Sequence, residues 1–311
     1  MPFLDQYQRQ VRLLMRLLPL VAQEPCFALK GGTAINLFVR DLPRLSVDID
    51  LMYLPMHARP EALAGIDAAM KRIENAARAA IPGTRITQHI HEGAVLRLLV
   101  SADAAQVKIE VSPVLRGVVR DPATLPVTEA VEAAFGFAET NVVSFDDLYA
   151  GKLVAALDRQ HPRDLFDVRD LLGNEGLTDS LREAFLIYIL SHNRPMGEVL
   201  SGRVKDLADE YRDGFVGMTE QPAPIENLIE TQHAMIDLLI GGMPDQHREF
   251  LIGFERGAPD WTLIDIPHAQ DLPAVRWRQR NLDGLKSEQR EALVALLEQS
   301  LGRKSITKVE N

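Results

Sequence analysis

Residues 26–54 read CFALKGGTAINLFVRDLPRLSVDIDLMYL, and this stretch decides the fold. Cys26-Phe27-Ala28-Leu29 is a short apolar run that stops at Gly31-Gly32, as a buried strand running into a turn would. Residues 33–39 then take helical spacing, with Thr33 placed to cap the helix. Over 45–54 the period changes to two. Leu45, Val47, Ile49 and Leu51 fall on one face, and Ser46, Asp48 and Asp50 on the other.

Working outward, residues 4–21 place Val11, Leu14, Met15 and Leu18 at helical spacing, and 60–80 form an alanine-rich helix. Residues 85–91, 95–101 and 107–112 read as three further strands. The less regular 113–144, with Pro122 and Pro126, is expected to give the last edge of the sheet and a crossover. From Phe145 onward the pattern is helical: two faces across 148–172, then 181–190, 199–211, 225–240 and 288–301, with a polar tail after Leu301. The segment 257–280, which holds Trp261, Trp277 and three prolines, reads as an ordered loop. The expected class is α+β, a mixed sheet with helices over 1–144 followed by a mostly helical domain over 145–311, with the active cleft between them.

The chain has 311 residues, 46% of them hydrophobic and 25% charged, so it can bury one large or two modest cores. No apolar run approaches the roughly 18–20 residues needed to span a bilayer. The opening MPFLDQYQRQ lacks a basic segment followed by an apolar one, so no signal peptide and a cytoplasmic location are expected. The one cysteine, Cys26, is expected as a buried core thiol. A net charge of −10 excludes a non-specific nucleic-acid coat but leaves room for a local basic groove. The cation clusters Arg159-His161-Arg163 and Arg276-Arg278-Arg280 read, each by itself, as solvated faces. His89 and His91 receive no role.

Two aspartates at i and i+2 on a strand share a face, repel, and raise each other's pKa unless a cation sits between them. A hard divalent ion with oxygen ligands, Mg²⁺ or Mn²⁺, suits that pair, although an isolated pair is more often a solvated strand face. Lys30-Gly31-Gly32-Thr33, between a strand and a helix, is a turn whose backbone N–H groups can approach a phosphate. Val107-Lys108-Ile109-Glu110-Val111 alternates in the same manner. If it lies beside the Asp48 strand, Glu110 completes a three-carboxylate cluster able to hold two metals.

The order Gly-Gly-Thr, Asp48-Ile49-Asp50, Ile109-Glu110-Val111 resembles the signature of polymerase-β-like nucleotidyltransferases. More narrowly, KGGTAINLF followed by SVDIDL resembles the AbiEii/AbiGii toxin family, which includes the MenT toxins. YAGKLVAALDRQHPRDLFDVRDL and PAVRWRQRNL are similar to that family's downstream segments. The resemblance implies the toxic half of a toxin–antitoxin pair, with a separately encoded antitoxin and no membrane partner. It also implies metal-dependent transfer of a nucleoside monophosphate from an NTP to RNA, at the tRNA 3′ end. Transfer to a protein or small molecule, or a degenerate transferase acting as a binding module, remain alternatives.

By the same resemblance Lys30, Gly31, Gly32, Thr33 and Ser46 would bind the triphosphate, and Asp48, Asp50 and Glu110 the metal, with Glu110 helping to activate the acceptor hydroxyl. Lys152 and Asp167 match the lysine and terminal acid of the downstream motifs. Lys152 lies on an otherwise apolar helix, where it either faces the cleft as a phosphate contact or snorkels at the surface. Asp167 is favoured over Asp164 as the acid that enters the site.

Overall fold

The structure, a computed structural model, describes residues 5–219, 221–266 and 268–302. Leu4 at the start of the first expected helix, Pro267 and the polar tail from 303 lie outside the described residues. The chain divides into two compact units, residues 1–144 with 217–222, and residues 145–216 with 223–311. The return of 217–222 to the first unit is a departure from a single boundary. Its cause is backbone pairing: the Leu45 N–H donates to the Met218 carbonyl at 2.9 Å, and Arg44 bridges to Thr219.

The first unit is a seven-stranded mixed sheet. Its strands are β1 (Phe27–Lys30), β2 (Asp48–Tyr53), β3 (Arg85–His91), β4 (Ala94–Ala102), β5 (Ala105–Arg116), β6 (Ala123–Pro126) and β7 (Glu139–Val142), in the order β3-β4-β5-β2-β1-β7-β6. β2 runs parallel to β5 and antiparallel to β1; β1 runs parallel to β7. Strict alternation divides the two faces. Ile49, Ile109 and Leu98 stand in register across β2, β5 and β4 and are fully buried, while Asp50, Glu110 and Arg97 are half-buried. Helices α1 (Asp5–Val21) and α3 (Arg59–Ala80) pack on β4 and β5. α1 buries Val11, Leu14, Met15 and Leu18, and α3 buries Ala62, Ile66, Ala69, Met70, Ile73 and Ala77, each a single apolar stripe.

The turn region differs from its expected form. α2 (Gly31–Ala34) starts at Gly31 and continues into a wider π turn, Ile35–Val39; Lys30, not Thr33, holds the cap position, and no side chain caps it. Thr33 lies inside the helix, and its hydroxyl is committed elsewhere. β2 begins at Asp48, so Val47 is only half-buried ahead of it. The irregular 113–144 contains β6, α4 (Glu129–Phe135) and β7; β6 forms one edge of the sheet, and β7 lies between it and β1. Four-residue strands are too short to show a clear period. Cys26 is half-buried, and burial pushes its thiol up.

The second unit is helical: α5 (Phe145–Arg159), α6 (Pro162–Asn174), α7 (Asp179–Leu190), α8 (Met196–Val199), α9 (Ala208–Gly214), α10 (Ile225–Ile236), α11 (Asp245–Arg256), α12 (Pro273–Asp283) and α13 (Ser287–Leu301). Residues 199–211, expected as one helix, are broken into α8 and α9 with an irregular link. Gly202 turns left-handed at φ +63°, and the Gln160 side chain takes up the backbone of the link, donating to the Arg203 carbonyl at 2.6 Å and accepting from the Lys205 N–H at 2.9 Å. Residues 257–280 are not a loop throughout, since Pro273 opens α12 from a position where its missing N–H costs nothing. Arg278 is not solvated: it donates to the His192 carbonyl at 2.9 Å and pairs with buried Glu255 at 3.5 Å. His161 accepts from the Arg163 N–H at 3.1 Å and so caps α6. No described helix is long and apolar enough to cross a membrane.

Candidate active site

Asp48 and Asp50 project from one face of β2, both half-exposed, while Ile49 and Leu51 between and beyond them are fully buried. The strand cannot rotate the acids away without exposing that apolar pair. Lys30, the last residue of β1, is in register with Asp50. Gly31 follows at φ +75°, and a Cβ built there would stand 2.8 Å from Oδ2 of Asp50. Glycine is therefore required twice, for the left-handed backbone and for the close approach of a carboxylate. At Gly32 a Cβ would stand 2.8 Å from Nη2 of Arg44 and 2.9 Å from Oγ of Ser46. Arg44, buried and donating through Nη1 to the Leu45 carbonyl at 2.9 Å, is a cation at the turn that periodicity gave no reason to select.

Thr33 joins these parts. Its hydroxyl lies 3.1 Å from Oγ of Ser46 and also donates to the Asp48 carbonyl. The glycine turn, Ser46 and the first aspartate are thus tied into one unit by a buried side chain.

β5 does lie beside β2, with Asp48 opposite Lys108 and Asp50 opposite Glu110. Glu110 is nevertheless engaged with cations. Lys108 Nζ is 2.9 Å from one of its oxygens and 3.5 Å from Asp48 Oδ2, and Arg97, opposite Glu110 on β4, bonds its other oxygen through Nε and Nη2. Burial would raise the Glu110 pKa, but the hydrogen bonds from Arg97 and Lys108 outweigh it and hold the carboxyl below its usual range. The effect on Lys108 is reciprocal: burial opposes its charge, while Glu110, Asp48 and Asp50 raise its pKa. Lys108 was legible, since it stands at i and i+2 with Glu110; Arg97 needed the strand register.

Asp48 and Asp50 suit a hard divalent cation, being half-exposed carboxylates on one strand face. Glu110 suits it less, because its two oxygens already serve two cations. Among the described residues no three histidine, cysteine, aspartate or glutamate side chains form a group that could hold a metal ion. An open cleft of about 450 Å³ lies against this face of the first unit, with Lys30, Asp50, Glu110, Arg97 and His89 in its wall.

Lys152 and Asp167 belong to the second unit. Lys152 neither snorkels nor stands exposed: it is buried, with Nζ 2.9 Å from Asp164 Oδ1 and 3.0 Å from Asp167 Oδ2. Arg159 also bonds Asp164. Asp164 and Asp167 both serve the same lysine. Burial alone would raise the Asp164 pKa, yet Lys152 and Arg159 hold it far below the ordinary carboxylate range.

No curated protein sequence matches the chain significantly. Among solved structures it is similar to MenT4, a nucleotidyltransferase toxin from Mycobacterium tuberculosis H37Rv, with a TM-score of 0.56 over 94% of each chain at 17% identity, a likeness of fold. The family model for the nucleotidyl transferase AbiEii toxin of type IV toxin–antitoxin systems matches residues 12–280, which takes in the glycine turn, both aspartates and the buried lysine. The chain therefore belongs to the AbiEii family of nucleotidyltransferase toxins.

Proposed function

We propose that this toxin transfers a nucleoside monophosphate from an NTP to the 3′ hydroxyl of an RNA, with the tRNA acceptor end as the target, and that an antitoxin encoded separately restrains it. The observation that carries the transfer chemistry is the pair Asp48 and Asp50 on one strand face, packed against a glycine turn where any larger residue is strained and crowded. Lys30, the backbone of Gly31 and Gly32, and Ser46 hold the triphosphate, and Thr33 fixes their spacing to β2. A divalent cation, Mg²⁺ or Mn²⁺, when bound at Asp48 and Asp50, supplies neutralisation of the phosphate charge.

The acceptor oxygen attacks the α-phosphorus, the bond between it and the bridging α–β oxygen breaks, and pyrophosphate leaves with that electron pair. Glu110 is a poor acceptor for the hydroxyl proton, because two cations keep it ionised. The proton passes to water in the open cleft, and Glu110 anchors Arg97 and Lys108 beside Asp50. Lys152 and Asp167 act by holding α5 on α6 through a buried charge cluster. Most of the rate then comes from positioning and charge neutralisation.

Incubation of the protein with each α-labelled NTP and total tRNA, and separately with cell protein, tests this. Label at RNA 3′ ends that disappears with Asp48→Asn is expected. Label on protein alone would replace the RNA acceptor with a protein one, and no label on either would leave a small-molecule acceptor or a binding module.

A further inference from the structure

The strand registers place a single polar row across five neighbouring strands. Lys30 on β1 is opposite Asp50 on β2, Asp50 opposite Glu110 on β5, Glu110 opposite Arg97 on β4, and Arg97 opposite His89 on β3. Paired residues share a face of the sheet, and all five line the same cleft. With strands about 4.8 Å apart, the row extends about 19 Å, and Asp50 lies two spacings, about 10 Å, from Arg97. Its order is cation, two anions, cation, imidazole. The reacting carboxylates are thus bracketed by two separate groups of anion-binding side chains. Lys30 and the glycine turn account for one of them. Nothing in the transfer chemistry of the NTP uses the other.

That other end has the surface of a binding site. β3 is the edge strand, and its residues are exposed almost throughout. The register slips there, from His89 opposite Arg97 to Ile90 opposite Val95, so Leu96 is the extra residue of a bulge on β4. Bulges at sheet edges re-aim side chains. Here the bulge brings Leu96 and Ile90 into the wall of the cleft beside Arg97 and His89, leaving Ile90 64% exposed. Arg97 bonds Glu110 through Nε and Nη2 and is still 41% exposed, and His89 is exposed. In a chain of net charge −10, a local group of an arginine and histidines beside an open apolar ledge is an exception that favours an anion with an apolar part.

The geometry points to an acceptor subsite at this β4–β3 end of the row: Arg97 and His89 take the phosphodiester nearest the 3′ end of a single-stranded polynucleotide, and the exposed Ile90 supports the adjoining ribose or base. It rests on the RNA-acceptor function proposed above and adds the residues that would select a polynucleotide over a small molecule. Phosphate contacts of this kind fix position without reading sequence, so the subsite grips the backbone and leaves base choice to other parts of the molecule. An open edge, in place of a closed pocket, also suits a chain that must continue beyond its last nucleotide.

Two exposed positions outside the reacting groups allow a clean test, His89→Ala and Ile90→Ser. Transfer is measured with total tRNA as acceptor, varying RNA and NTP separately, and binding of a 5′-fluorescein oligoribonucleotide with a free 3′ hydroxyl is followed by anisotropy. We expect each variant to raise the KM for RNA by about tenfold or more, with kcat and the KM for NTP within twofold, because acceptor binding is lost equally from the ground and transition states. Oligonucleotide binding should weaken in parallel. Transfer to RNA by both variants with an unchanged RNA KM overturns the subsite and leaves the RNA-acceptor function intact. A wild-type protein that labels only protein, and binds no oligonucleotide, overturns both. If the variants instead impair labelling of a protein acceptor, the ledge is a protein-docking surface and the polynucleotide assignment falls.

Discussion

The carboxylate of Asp50 occupies the space that a side chain at Gly31 would need: a Cβ there would lie 2.8 Å from Oδ2. Turn and acid are therefore built around one another. Gly31→Ala adds a methyl group at a backbone of φ +75°, a conformation that costs an L-residue about 1–2 kcal/mol, and it also displaces Asp50. We expect a loss of stability of that size in urea denaturation, together with a fall in transfer larger than the stability loss explains. Wild-type transfer by a folded Gly31→Ala protein would show that the close approach is incidental.

Asp48→Asn and Asp50→Asn should each lower nucleotide transfer by at least on the order of 10²-fold, the scale on which loss of one preorganised charge contact acts. Neither should unfold the protein, since both side chains are half-exposed and the buried face of β2 is untouched. Labelled-NTP assays beside circular dichroism melts check this. Full activity in either variant removes the aspartate pair from the chemistry.

Lys108 stands between β2 and β5 carboxylates, 3.5 Å from Asp48 and 2.9 Å from Glu110, where its charge competes with any divalent cation drawn to the pair. A unit charge at such a distance is worth about 1 kcal/mol even at the dielectric constant of water. Lys108→Met should therefore tighten Mn²⁺ binding roughly tenfold. Titration of the protein with Mn²⁺ alone, followed by electron paramagnetic resonance, reads this without any substrate. An unchanged or weaker affinity would mean that Lys108 helps to form the cation site.

Within the second unit, Asp164 is buried and its pKa is held far below the ordinary range by Lys152 and Arg159, against the opposing effect of burial. A depressed folded pKa contributes stability that is complete above the unfolded value, about 3.9, and is lost as pH falls through the folded one. Asp164→Asn should thus destabilise the protein by roughly 1–3 kcal/mol near neutral pH, since the buried Lys152 loses one of its two carboxylate partners and keeps Asp167. The gap from wild type should persist to about pH 5 and shrink below about pH 4. Urea midpoints across that range test it. A gap independent of pH would mean that lost packing, not charge, is responsible.

Lys152→Ala strands Asp164 and Asp167 without their shared ammonium group. We expect it to lower the melting temperature as well as toxicity on expression in bacteria. A variant with wild-type melting and no toxicity would return Lys152 to a direct role in transfer.

What the sequence determined by itself follows from short-range geometry. A period of two over 45–54 put Asp48 and Asp50 on one face because successive side chains on a strand alternate, and Gly31-Gly32 marked a turn because few other residues tolerate the backbone of Gly31. Helical stripes in α1 and α3 were legible for the same kind of reason, and β5 announced the shared face of Lys108 and Glu110. Short strands such as β6 and β7, and the break at Gly202, were not, because their form is set by neighbours and not by their own period. Only the tertiary structure decided partners. Alternation gives the face of a residue but not which strand lies beside it, so the row from Lys30 through Asp50, Glu110 and Arg97 to His89 exists only once five strands take their order and register. Lys152 shows the same division: its helix could be read from apolar spacing, whereas its burial depends on two carboxylates that α6 brings to it.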